Sequence, residues 1–264
     1  RESLAEIMGM ELDAIRVVPS ACGGGFGSKL DVSFQPYVAL AAWVLGRPAR
    51  ICYSRGESMR ASTKRHPSDI RLAVGCDETG RLSGFVFDGV FNTGAYASWG
   101  PTVANRVPIH ASGPYATKDY RANSVAVHTN APPAGAFRGF GVPQSAVAQE
   151  CAFDLLAEKV GMDRLAFRRL NALKNGVPTV TGQVFNSGVG IDDCFAALEN
   201  SWHAAVLSAA SFNQTAISDN SPWRKGVGIA SCWYGCGNTS LPNPSTMRMR
   251  ITADGRIVLH QGAM

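Results

Sequence analysis

With 264 residues the chain can bury one large core or two smaller ones, and its 45% hydrophobic and 17% charged content excludes a disordered or fibrous class. The net charge is +5, yet Lys and Arg are scattered, which excludes a nucleic-acid footprint, and Arg60, Lys64 and Arg65 read as a solvated face. No run of eighteen apolar residues predicts a membrane span, and seven cysteines at irregular spacing, with Cys232 and Cys236 the one close pair, point to reduced, mostly buried thiols rather than a zinc site.

In chain order, residues 4–8 read as the tail of a helix ended by Gly9, and residues 15–18 as a strand feeding a glycine-rich loop. An alanine-rich helix over 34–45 closes at Gly46 and Pro48, and 49–53 reads as a strand. A hairpin pairs 69–75 with 81–91 around Asp77-Glu78-Thr79-Gly80. Residues 92–122, rich in Gly, Pro, Ala and Ser, read as a long loop region, and loops of that length inside a domain are often functional. A strand at 124–128 leads to a second special loop, after which Pro143 opens a helix to Val160. Helices follow over 163–173 and 191–207, then a polar linker over 208–221. The remainder reads as β: 226–233, then 246–252 and 256–260 around Ala253-Asp254-Gly255. The two Asp/Gly hairpins either mark two comparable α+β units or share a common turn chemistry. The chain starts at Arg1 without a methionine and stops at Met264 after a strand-like run, so both ends read as cut.

Two loops carry the chemistry. Residues 22–29 read Cys-Gly-Gly-Gly-Phe-Gly-Ser-Lys, a bare backbone between a strand and a helix whose N–H groups can converge on an anion such as a phosphorylated cofactor. Ser28 stands where a P-loop needs glycine before its lysine, and Leu30 where a dinucleotide fingerprint needs its third glycine, so neither motif is present. The second loop is Ala136-Phe137-Arg138-Gly139-Phe140-Gly141-Val142-Pro143-Gln144, with Arg138 lying 112 residues after Phe26.

Together, in this order and spacing, the loops resemble those of the molybdenum-cofactor-binding subunit of the xanthine dehydrogenase and aldehyde oxidase family. The resemblance implies an oxidoreductase that hydroxylates an electrophilic carbon of an aldehyde or aromatic N-heterocycle with oxygen from water. It implies a molybdenum cofactor, as molybdopterin or its cytosine dinucleotide, with iron–sulfur clusters and FAD on partner domains or subunits. Gly24, Gly25, Phe26, Gly27 and Arg138 would bind the cofactor, with the metal held by the pterin dithiolene and by no side chain directly. Arg138 would be catalytic, a fixed cation for charge that grows at the metal centre, unless it merely satisfies loop carbonyls. Leu30, Arg106 and Phe140 would face the substrate. Phe140 either stacks on a flat ring or packs as core. The purine-oxidising members carry glutamate where Leu30 stands, so xanthine is not the expected substrate. Gly139 stands where the carbon monoxide dehydrogenases place a copper-binding cysteine, so no copper is expected. Cys22 reads as a small core residue, and neither His66 nor Glu57 is taken as the base, which in the family lies in sequence this chain does not contain.

The expected fold is α+β, mixing helices with antiparallel hairpins in two α+β units, 1–176 and 177–264, with the cofactor cleft between them. The other reading is a non-catalytic fragment or split subunit that provides half of that cleft. A small-molecule substrate, an oligomeric parent enzyme and a cytoplasmic location are expected, a periplasmic one being left open by the missing amino terminus.

Overall fold

The computed structural model describes residues 1–235 and 246–260. Its centre is a three-stranded sheet of β1 (Ser68–Cys76), β2 (Leu82–Gly94) and β3 (Asp119–His128), with β2 in the middle. β1 and β2 pair antiparallel through a tight turn in which Asp77 Oδ1 accepts from the Thr79 and Arg81 amides and Gly80 takes φ 85°. β3 runs parallel to β2, a pairing that requires a crossover, here made through helix α4 (Gly100–His110). Along β2, Phe85, Phe87 and Phe91 are buried at period-two positions. Gly89 shares their face, and a Cβ there would lie 2.8 Å from both the Phe87 and Phe91 rings, so the aromatics fill the space that glycine leaves.

Ahead of the sheet lie α1 (Glu2–Met8), α2 (Gln35–Leu45) and α3 (Arg55–Ala61), and after it α5 (Val142–Lys159), α6 (Arg164–Asn171) and α7 (Ile191–Ser218). α4 packs on β2 and β3, α5 on β1, and α6 joins α5 to α7. The core combines the β2 phenylalanines with Val107, Tyr115, Phe153, Phe167 and Phe195. Tyr115–Phe153 and Phe153–Phe167 meet edge to face at 5.0 and 5.7 Å between centroids. Buried Asn171 joins sheet to helices: its Oδ1 accepts from the Leu82 amide while Nδ2 donates to the Gly80 and Phe167 carbonyls.

The α+β class holds, with seven helices among the described residues, while the sheet is mixed rather than built only of antiparallel hairpins. The expected loop over 92–122 instead contains the end of β2, α4 and the start of β3. Its prolines read as breakers, but Pro101 lies in the first turn, where the missing N–H has no partner to lose, and buried Val103, Ala104 and Val107 hold the helix past Pro108. The expected linker over 208–221 is helical through Ser218, held by buried Ala209 and Ala216. Residues 15–18, 49–53 and 226–233 pair into no sheet among the described residues. The last hairpin, β4 (Arg248–Ile251) with β5 (Ile257–His260), forms its own two-stranded sheet.

Two composition-based expectations are corrected. Of the described cysteines, Cys22, Cys52, Cys151, Cys194 and Cys232 are exposed, and only the half-buried Cys76 packs against the core; Cys236 lies outside the described residues. Lys64 is half-buried rather than a free surface cation: its Nζ donates to the Ser58 and Ser62 carbonyls and the Ser62 hydroxyl. No helix among the described residues is long and apolar enough to cross a membrane. α2 buries no residue, and Tyr37, Trp43 and Val44 stand exposed on it.

Candidate functional site

The glycine loop and the arginine loop touch backbone to backbone. At Gly27, φ is 89° and a Cβ would lie 2.9 Å from both the Ala136 carbonyl carbon and the Phe137 nitrogen, so a side chain would push the loops apart. Gly24 also sits at positive φ, 117°, with the Phe26 ring folded over the space a Cβ would take. Phe26 and Phe140 themselves have φ 50° and 44°, the left-handed region that costs a bulky residue of order 1–3 kcal/mol and is tolerated where surrounding contacts enforce it. Among the described residues, no carbonyl or side chain accepts from the amides of residues 23–28.

Across this contact, the exposed Arg138 places its Cζ 5.5 Å from the centroid of the exposed Phe26 ring. Half-buried Phe140 meets Trp99 edge to face at 6.3 Å. Leu30 is exposed at the end of the glycine loop, its amide donating to the Gly27 carbonyl. The next residue, Asp31, accepts from the Ser98 hydroxyl at 2.9 Å, which ties this loop to the start of α4. Cys22 is an exposed partner of Lys29, whose Nζ donates to its Sγ at 3.0 Å and to the Gly24 carbonyl at 2.5 Å. The hydrogen bond from Lys29 holds the thiol below its usual pKa range.

Arg106 is placed differently. It is 3% exposed, with Nη2 donating to the Gly235 carbonyl at 2.9 Å and Cζ 4.3 Å over the Tyr234 ring. The same segment is fastened by His110, whose Nε2 accepts from the Gly235 amide and whose Nδ1 faces the Arg106 carbonyl. Arg106 thus lies on α4 and is covered by residues 234–235, whereas Leu30, Phe26, Arg138 and Phe140 lie in the two loops that meet at Gly27.

Sequence reasoning missed Arg65, whose Nη2 donates to the Arg138 carbonyl at 2.6 Å and whose Cζ lies 4.9 Å over the Phe137 ring. Its only signal was the run Lys64-Arg65-His66, which reads as surface charge. His66 is 3% exposed, and burial lowers its pKa from 6.5 to about 4. A folded pKa below the unfolded one means that the folded state resists the proton, so stability is full above pH 6.5 and falls as pH drops towards 4. His66→Gln should therefore flatten the denaturation midpoint across that window; a slope unchanged from wild type would contradict the assignment.

The molybdopterin cofactor-binding domain model matches residues 1–172. This chain belongs to that family. The molybdopterin-binding oxidoreductases it resembles include the nicotinate dehydrogenase large molybdopterin subunit of Eubacterium barkeri, 40% identical over 191 residues that cover 72% of this chain and 45% of that protein. The aldehyde oxidoreductase of Megalodesulfovibrio gigas is 33% identical over 260 residues, 97% of this chain and 28% of that one. The solved structure of an aldehyde oxidoreductase from Desulfovibrio gigas superposes with a TM-score of 0.77 at 30% identity, covering 90% of this chain and 25% of that chain. The chain spans less than half the length of each of these relatives.

The residues present fit a molybdopterin. A phosphorylated pterin needs close backbone approach and donors that compete with no internal partner, and the glycine loop offers both where a Cβ would intrude.

Proposed function

We propose that this chain forms part of the active-site cleft of a molybdenum hydroxylase that oxidises an aldehyde or an aromatic N-heterocycle. The observation that carries the reading is the backbone contact of Gly27 with Ala136 and Phe137, which joins the two loops into one surface presenting Phe26 and Arg138. When bound, the cofactor supplies the two-electron oxidation and activates the water-derived oxygen, with iron–sulfur clusters and FAD on partner domains or subunits receiving the electrons. The chain's own part is binding and charge. Amides of Gly24, Gly25, Phe26 and Gly27 hold the cofactor's anionic edge, and Arg138 stabilises negative charge that develops during the reaction.

On the substrate side, Phe140 backed by Trp99 offers an aromatic wall, Leu30 an alkyl contact, and Arg106 a cation behind the Tyr234–Gly235 segment. A leucine in place of a carboxylate disfavours purines, whose polar edge would go unpaired. The relatives include xanthine dehydrogenase subunits beside the nicotinate dehydrogenase subunit and the aldehyde oxidoreductase, so the choice of an N-heterocycle or an aldehyde over a purine rests on Leu30. We divide the chain into a first cofactor-binding unit over 1–176 and the start of a second over 177–264, supported by the family match ending at residue 172. Since the chain spans a minority of its relatives' length, the 264 residues by themselves supply half of a cleft, and the activity belongs to the complete enzyme.

Two substitutions in the holoenzyme test this. Leu30→Glu should shift preference towards purines by roughly tenfold to a hundredfold in relative kcat/KM, the worth of one good polar contact of about 1–3 kcal/mol. Arg138→Ala should lower turnover on purine and aldehyde alike, because it acts at the metal centre. Unchanged purine preference, or an Arg138→Ala loss confined to one substrate, would sink these assignments.

A further inference from the structure

Three consecutive residues brace the arginine loop from behind. The Lys64 amide donates to the Pro133 carbonyl and the Gly135 amide to the Lys64 carbonyl, at 3.3 and 3.0 Å, which fixes the way into the loop. The His66 carbonyl accepts from Gln144 Nε2 at 3.1 Å, which fixes the way out, in the first turn of α5. Between them Arg65 reaches the middle, donating from Nη2 to the Arg138 carbonyl at 2.6 Å with its Cζ 4.9 Å over Phe137. The outer two ties use the backbone of residues 64 and 66, which any side chain would permit. The middle tie needs this one.

We infer that Arg65 is the positioning residue for Arg138, an assignment whose catalytic consequence rests on the function proposed above. The guanidinium is suited to it because one planar group lies over the Phe137 ring while one of its N–H groups holds the Arg138 carbonyl. Its Nη1 lies 3.8 Å from where a Gly139 Cβ would stand, so the same group backs the peptide that follows Arg138. With the Arg138 peptide gripped on one side and the Phe26 ring beside its guanidinium on the other, Arg138 is held between two fixed neighbours. A lysine can donate to the carbonyl and lie over the ring but cannot do both with a planar fork. A methionine fills the volume and does neither.

The test pairs a measurement on the 264-residue chain with one on the holoenzyme. Hydrogen exchange of the chain should show lost protection over residues 136–142 in Arg65→Met, partial recovery in Arg65→Lys and no change in β1 and β2. In the holoenzyme, Arg65→Met should lower kcat on the order of tenfold to a hundredfold on every substrate, with KM and molybdenum content little changed, as a misplaced catalytic group does. Adding it to Arg138→Ala should lower kcat no further, because the effect travels through Arg138. Wild-type exchange in Arg65→Met, equal behaviour of Met and Lys, or multiplied losses in the double variant would overturn the inference. Should Arg138→Ala alone leave turnover intact, the functional reading fails while the exchange data still decide whether Arg65 holds the loop.

Discussion

Arg168→Met is expected to destabilise the chain by about 3–5 kcal/mol, the usual cost of leaving one charge of a buried pair without its partner. The Arg168 side chain is fully buried, its Nε donating to Glu150 Oε2 at 2.7 Å, Nη1 to the Arg164 carbonyl and Nη2 to the Glu150 carbonyl, with the Asp154 carboxylate 2.8 Å from Nη1. The other Glu150 oxygen accepts from the Tyr115 hydroxyl and Gln149 Nε2, and Ser231 donates to the Tyr115 oxygen. Burial, reinforced by the Glu150 charge, pushes the Tyr115 phenol well above its usual pKa, so it stays a donor. One carboxylate therefore joins α5, α6, the stretch before β3 and residue 231. For a chain of this length the loss corresponds to a fall in Tm on the order of 10 °C. Arg168→Met with Glu150→Leu should recover part of it, because the Glu150 carboxylate is no longer left buried without its cation, while Asp154 keeps Arg164 at 3.6 Å. Calorimetry of the three proteins decides: a double variant as unstable as the sum of the singles would show that the pair is not a unit.

Gly27→Val is expected to separate the two loops while sparing the rest of the fold. A β-branched residue at φ 89° is strained, and its Cβ would press on main-chain atoms of Ala136 and Phe137 that cannot swing aside as a side chain would. Gly27, Ala136 and Phe137 lie outside the core cluster of Phe85, Phe153 and Phe167, so Tm should fall by no more than a few degrees, the range for about 1–2 kcal/mol. Hydrogen exchange of the Leu30 and Phe140 amides, which donate to the Gly27 and Phe137 carbonyls, should rise together. A rise confined to Leu30 would mean that the loops do not support one another.

The loops and the first hairpin were legible because their residues have strong local requirements: glycines at positive φ, and an Asp/Gly turn between alternating apolar runs. α4 was not, since Pro101 and Pro108 signal breaks locally while burial of Val103 and Val107 decides in favour of helix. The extension of α7 rests likewise on tertiary burial of Ala209 and Ala216 within a polar stretch. Leu30, Arg138 and Phe140 could be named from the motifs, but the cover that Tyr234 and Gly235 place over Arg106 depends on a segment 129 residues away. Arg65 read as a surface cation, and only the Arg138 carbonyl, 73 residues away in the chain, gives it a partner. Cys22 was misjudged because thiols are usually buried, whereas here an exposed lysine supplies its partner.

The claim that the two loops make one cofactor-binding surface is tested most directly by anaerobic titration of the cofactor-free complete enzyme with molybdopterin, wild type against Gly27→Val. Saturable one-to-one binding by the wild type, weakened on the order of tenfold or more in the variant as expected for a loss above 1.4 kcal/mol, is the predicted result. Equal affinity in the two proteins would contradict it.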